Sequence, residues 1–308
     1  MIATLFRRII IAIPTLLFLS LVVFALLELT PGDVALAVLD ESASEEQIEM
    51  MREELGLNDY FLERYFNYIG GLLRADMGKS VRTERPVIDE IKVRLPYTLA
   101  LLGSGIFLGT IMGMSIGALS AAKHGTAWDT LITAFISIGM ATPVFWLALL
   151  LVDLFAMKLH WVNVFGANSA KDLILPAVCT AFTLVPGVAR LTRTGLLEVF
   201  GADFILTARA KGLPGRSILL RHISPHTAIT IVTYIGLRAV RLISVTTVME
   251  VIFSWPGLGG LAVKAAFDRD PMVLQGTTLT IATITFIILF FVDIIVLRLD
   301  PRITYKAV

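Results

Sequence analysis

Five separate stretches of this chain, residues 9–29, 97–122, 131–157, 228–253 and 273–297, are predominantly apolar for 20 residues or more. A hydrocarbon layer of about 30 Å takes about 20 residues of helix to cross. Lipid supplies no partner for backbone N–H and C=O groups, so each such run must close its hydrogen bonds internally, as a helix. A sixth stretch, 173–189, is shorter and contains Pro176 and Pro186, yet its polar side chains are two threonines and Cys179. Proline is tolerated in a spanning helix where neighbours re-satisfy the freed carbonyls. The expectation is an all-α polytopic membrane protein with six transmembrane helices.

Composition agrees with this. Apolar residues make up 56% and charged residues 17%, with a mean hydropathy of +0.81, against about 25% charged in a soluble domain. A formal net charge of +1 gives no case for nucleic-acid binding. Arg7 and Arg8 precede the first run in the manner of a secretory signal. Signal cores are only about 7–15 residues, however, and this run is longer and lacks a clean cleavage site, so it reads as a retained span. The single cysteine, Cys179, excludes an intrachain disulfide and a multi-cysteine zinc site, and reads as a small buried hydrophobe.

Charge placement sets the orientation. With the N-terminus inside, the inner segments carry Arg7, Arg8, Lys123, Arg190, Arg193, Arg209, Lys211, Arg216, Arg221, Arg298, Arg302 and Lys306, and the short outer loops only Lys158, Lys171, Lys264 and Arg269. The long segment after the first span holds eight basic and fourteen acidic residues, and long loops cross largely regardless of charge. Both termini are therefore expected in the cytoplasm.

Residues 30–94 form the one extended extracytoplasmic segment, and its pattern is helical. Ser44-Glu45-Glu46-Gln47 reads as a capping box, followed by Ile48, Met51 and Leu55 on one face and Gly56 as a stop. A second helix is expected over 59–73. Its aromatics Tyr60, Phe61, Tyr65, Phe66 and Tyr68 suit a helix at the membrane interface or one packed on neighbouring spans. The segment fits a lid over the outer helix ends and equally a docking surface for a delivery protein.

The longest cytoplasmic stretch is 190–227. It parses as a continuation of the fourth span, a break at Gly201, and a short helix with Asp203 as N-cap. Gly212 is then the C′ residue, and Pro214 opens the next helix. Basic on one face and apolar at Phe204, Ile205, Ala208 and Leu213, it has the makings of a helix that docks in a partner's groove. A surface loop whose arginines only enforce topology has the same pattern.

The stretch Thr207-Ala208-Arg209-Ala210-Lys211-Gly212-Leu213 resembles the EAA-type coupling loop of binding-protein-dependent ABC permeases, in the form used by the dipeptide and oligopeptide B subunits. Pro31-Gly32-Asp33, Leu55-Gly56-Leu57 and Arg94-Leu95-Pro96-Tyr97-Thr98-Leu99 match in order before it, as does Arg190-Leu191-Thr192-Arg193. Ile252-Phe253-Ser254-Trp255-Pro256-Gly257-Leu258-Gly259 and Asp300-Pro301-Arg302-Ile303 follow. The resemblance spans essentially the whole chain, so residues 1–308 read as a single transmembrane permease domain of a type I ABC importer. It implies a second homologous permease subunit, two cytoplasmic ATPase subunits and an extracytoplasmic substrate-binding protein. It also implies that Asp203 through Leu213 docks on an ATPase, with Asp203, Ala208, Arg209, Ala210, Lys211, Gly212 and Leu213 as the coupling residues. The implied cargo is di- or oligopeptide, with nickel chelates, glutathione or oligosaccharides as alternatives in the same machine. Ser224-Pro225-His226 departs from the Leu-Arg-Asn common in the family.

No Gly-x-x-x-x-Gly-Lys-Ser/Thr loop occurs, so ATP and Mg are expected on partner subunits, with no cofactor on this chain and no catalytic residues. His222 and His226 have metal-ligand spacing, but Pro225 between them is expected to interrupt the helix and no third ligand follows, so no metal site is expected. A secondary transporter would couple through membrane carboxylates, whereas Asp153 and Asp293 lie near span ends. A membrane enzyme lacks a catalytic set. One feature of the spans stands out: Arg238 and Arg241 interrupt the fifth run on one helical face. They snorkel or pair with acids, or else they line a substrate path that prefers anionic cargo, with Glu250 as an opposite charge further out.

Overall fold

The computed structural model describes residues 2–28, 39, 44–54, 58–162, 166–167, 169–200, 205, 207, 210–214, 217 and 224–299. Its elements are helical: α1 (Ile2–Glu28), α2 (Glu45–Glu54), α3 (Phe61–Leu73), α4 (Val87–Ala122), α5 (Ala127–Ala141), α6 (Val144–Leu151), α7 (Ile174–Phe182), α8 (Val185–Phe200), α9 (Ser224–Ile252), α10 (Leu258–Phe267) and α11 (Pro271–Leu299). A π-helical stretch, Val152–Lys158, continues α6, and a 3-10 turn, Ala170–Leu173, leads into α7. Three helices, within α4, α9 and α11, are continuous and long and apolar enough to cross a membrane. The α5/α6 and α7/α8 pairs each pass the same test as a bent unit, and α1 contributes the apolar stretch Ile10–Leu26.

Two of the expected spans, 131–157 and 173–189, are bent. The first bend is 102° and the second 52°. Thr142 is extended, at φ −77° and ψ 122°, because the ring of Pro143 disfavours the helical region for the residue before it. Pro143 also has no N–H to continue the α5 ladder. At the second bend the N–H groups of Thr183 and Leu184 turn back to the Thr180 and Ala181 carbonyls in a tight i→i+3 pattern. Pro186 follows in the first turn of α8. Pro225 corrects an expectation: it sits in the first turn of α9, where its missing N–H costs nothing, and does not interrupt that helix.

The chain divides into two compact units, residues 6–98 with 256–286, and residues 99–255 with 1–5 and 287–308. In the first, the capping box forms as expected: the Gln47 carboxamide accepts from the Ser44 N–H at 3.0 Å and the Ser44 hydroxyl from the Gln47 N–H at 3.3 Å. Phe61, Tyr65 and Tyr68 of α3 pack on α1. Phe24 meets Phe61 and Tyr65 edge-on, with centroids at 5.4 and 5.6 Å, and the Tyr65 hydroxyl donates to the Leu17 carbonyl at 3.0 Å. Helix α4 starts ten residues ahead of Tyr97, with Asp89 and Glu90 in its first turn, where the helix dipole favours acids. Helix α10 was not anticipated. Its leading N–H, on Leu258, is capped by the Thr98 hydroxyl at 2.8 Å, which joins two of the matching motifs. Ser80 donates to the Asp270 carboxylate at 2.6 Å, tying the turn after α3 to the start of α11.

In the second unit, α4 runs against α7 and α8 along Gly105, Gly109, Gly113 and Gly117. A methyl group at any of the four would come within 3.0 Å of Thr180, Ala181, Leu184, Val188, Ala189 or Thr192. Small residues four apart let helix backbones approach closely, which is how helices associate where lipid gives no hydrophobic drive. Cys179 is fully buried on α7.

Candidate functional site

Both helix breaks open onto one cavity of about 150 Å³ in the second unit. Met140, Thr142 and Pro143 line it from the first break, Thr183, Leu184 and Pro186 from the second, and Tyr234, Arg238 and Arg241 from α9. The two arginines, predicted to share a face, do meet in one space. An arginine within an apolar helix costs at least about 2.5–3.5 kcal/mol on insertion scales unless it finds water or a partner, and a cavity among broken helices supplies room for both. Arg238 is half-buried and its guanidinium lies 5.2 Å from the Tyr234 ring centroid, within cation–π range. Tyr234 holds its place because residue 187 is glycine: a Cβ there would overlap the phenol.

Broken helices add polarity of their own. The last carbonyls of α5 and α7 and the first N–H groups of α6 and α8 lack a full set of intrahelical partners. Such groups are tolerated at membrane depth where they line a protein cavity. The Thr142 and Thr183 hydroxyls donate to the Ile138 and Thr180 carbonyls and satisfy part of this need. Glu250, predicted to accompany the arginines, does not line the cavity. It is 1% exposed and lies nine residues beyond Arg241 on α9, about 14 Å along the axis. Asp153 forms an exposed pair with Lys158 at 2.7 Å.

Of the predicted coupling residues, Ala210, Lys211, Gly212 and Leu213 are described and exposed, while Asp203, Ala208 and Arg209 lie outside the described residues. Gly212 has φ +74°, the left-handed conformation expected of a helix C′ glycine, and open space surrounds its Cα. Pro214 accepts from the Ser217 N–H at 2.8 Å, as at the start of a helical turn. Ile205 differs from expectation. It is fully buried against Ala121 and Leu196 of its own chain, so its side chain belongs to an internal cluster and not to a free docking face. Phe204 lies outside the described residues.

A helical protein with several apolar spans, two of them broken at a shared arginine-lined cavity, defines a multi-pass membrane transport protein. Residues 105–305 match the family described as binding-protein-dependent transport system inner membrane component, and residues 1–102 match the N-terminal family of such components. The chain belongs to this family and is the permease of an ABC importer, a machine that works with an ATPase and a substrate-binding protein. It is 32% identical to the dipeptide transport system permease protein DppB of Alkalihalophilus pseudofirmus over 99% of this chain and 100% of that one. It is 33% identical to the glutathione transport system permease protein GsiC of Escherichia coli strain K12 over 97% and 98% of the two chains. The fold is similar to that in inward-facing structures of the methionine ABC transporter MetNI, with a TM-score of 0.56 and 18% identity over 68% of this chain and 96% of that one.

Proposed function

We propose that this permease forms half of a translocation path for di- or oligopeptides, and that Arg238 and Arg241 receive the peptide's carboxylate end. The observation that carries the reading is the convergence of two broken helices and two arginines on one cavity. Paired guanidinium groups suit a carboxylate, which they bind by charge-assisted hydrogen bonds. At about 150 Å³, well below the roughly 300–1,000 Å³ of a full small-molecule pocket, the cavity takes one end of a peptide. Relatives named for dipeptide and glutathione transport support a peptidic, carboxylate-bearing cargo.

The remaining parts follow in the same reading. The chain crosses the inner membrane six times with both termini in the cytoplasm. Residues 30–94 lie outside, and 190–227 meet one of two ATPase subunits, which bind ATP and Mg and hydrolyse it. A second homologous permease chain completes the path, and a substrate-binding protein delivers cargo.

The test is uptake by the reconstituted complex of a free dipeptide and of the same dipeptide amidated at its C-terminus. The wild type is expected to prefer the free acid by at least about tenfold, the lower end of what one charge-assisted hydrogen bond of roughly 1.5–3 kcal/mol supplies. Arg238→Gln with Arg241→Gln should erase that preference. Equal loss for both substrates returns the arginines to a structural role.

A further inference from the structure

Outside the cavity, Asp129, in the first turn of α5, is a densely bonded polar group. It is 6% exposed. One carboxylate oxygen accepts from the Ser120 hydroxyl at 2.6 Å and from Nε of Arg193 at 2.9 Å. The other accepts from the terminal guanidinium nitrogen of Arg193 at 2.8 Å and from the Gly125 N–H at 3.3 Å. Nδ1 of His124 lies 3.0 Å from this second oxygen and 3.2 Å from the guanidinium. Three elements therefore meet on one carboxylate: the end of α4, the turn into α5, and α8.

Arg193 sits on α8, in the part of the 190–227 segment that continues the fourth span. Three residues on, Leu196 packs with Ala121 of α4 and with Ile205, so the same turn region also holds a residue beyond the end of α8. Among the described residues the apolar cluster has three buried members, and hydrophobic contact is non-directional. A guanidinium gripping a carboxylate through two parallel hydrogen bonds is directional, because both groups are planar and fix each other's orientation. A segment that passes a partner's movement to membrane helices must be stiff where it joins them, and this fork is what supplies direction there.

We infer that the Asp129–Arg193 fork anchors the base of the 190–227 segment and so positions the rest of it, which makes the α4–α5 turn a working part of ATPase coupling. The inference rests on the coupling reading of 190–227 and adds to it a second, distant piece of sequence. Asp129 and Arg193 are positioning residues: they act through the segment and touch neither nucleotide nor cargo.

The experiment uses the whole importer in proteoliposomes with its substrate-binding protein, and follows ATP hydrolysis together with uptake of a radiolabelled dipeptide. Asp129→Asn keeps shape and loses charge; Arg193→Lys keeps charge and loses the fork. In each, uptake is expected to fall at least fivefold more than hydrolysis, while the ATPase subunits still co-purify. A merely structural role would lower both in proportion to the amount of assembled complex, and that result overturns the inference, as does failure of both variants to assemble. Gly212→Val, strained by its positive φ alone, is run in parallel. If it couples normally, the coupling reading itself falls; if it uncouples while Asp129→Asn and Arg193→Lys keep the wild-type ratio, only the positioning role falls.

Discussion

The bent pair α7/α8 presents two contrasting faces. Toward α4 it closes on a ladder of glycines, Gly105 to Gly117, with no room for a methyl group. Toward α9 it opens on the arginine-lined cavity through Pro186 and Gly187. The same helices thus make a sealed wall and a polar chamber. The difference lies in the regularity of small residues: four glycines one turn apart bring backbones together along a line, whereas prolines at irregular positions bend two helices and leave space at the bends. A permease needs both, a wall that excludes lipid and ions and a chamber that accepts cargo.

The largest effect should come from filling the wall. Gly109→Leu would drive its Cβ within 3.0 Å of the Ala181 carbonyl and Leu184, and overpacking a tight interface costs about 1–3 kcal/mol or more. A large fall in thermal unfolding temperature in detergent is expected. Gly103→Leu, on the same helix with nothing within 4 Å, should be neutral to within about 0.5 kcal/mol. Equal behaviour of the two would break the distinction between wall and open face.

Gly187→Ala should act on the chamber with a smaller loss of stability. Its methyl displaces the Tyr234 ring and with it the cation–π contact to Arg238, worth about 0.5–2 kcal/mol. The preference for a free over an amidated dipeptide should drop a few-fold. A stability loss as large as that of Gly109→Leu with preference unchanged would mean that the α9 side is as closed as the α4 side. The smallest effect is expected at Asp153→Asn. That residue pairs with Lys158 where both side chains are more than half exposed, and such pairs contribute about 0–1 kcal/mol. Unfolding temperature and uptake should both stay at wild-type level, and a clear change in either would assign this pair a role in the spans.

Much of the site was legible in residue order. Arg238 and Arg241 stood out because charge is costly in a span, and their shared face followed from helical spacing. The left-handed Gly212 followed from its place after a short helix. The glycine ladder is equally readable, as four glycines spaced by four within 105–117. The bends also left a signal in Pro143 and Pro186, but a proline in a span is accommodated as readily as it breaks one. Tyr234 and Asp129 gave no such sign. A tyrosine in an apolar run and an aspartate at a helix start are ordinary in themselves.

The sequence by itself determined that the chain crosses a membrane as helices, because backbone satisfaction in lipid leaves no other choice for long apolar runs. It determined the family as well, through ordered motifs. Tertiary structure alone decided which face of each helix is sealed, that two breaks share one cavity, that Glu250 stands apart from the arginines, and that Asp129 meets Arg193 across 64 residues of chain. Those facts depend on distances between segments remote in sequence. Periodicity fixes a side chain's face on its own helix, and only packing fixes what that face meets.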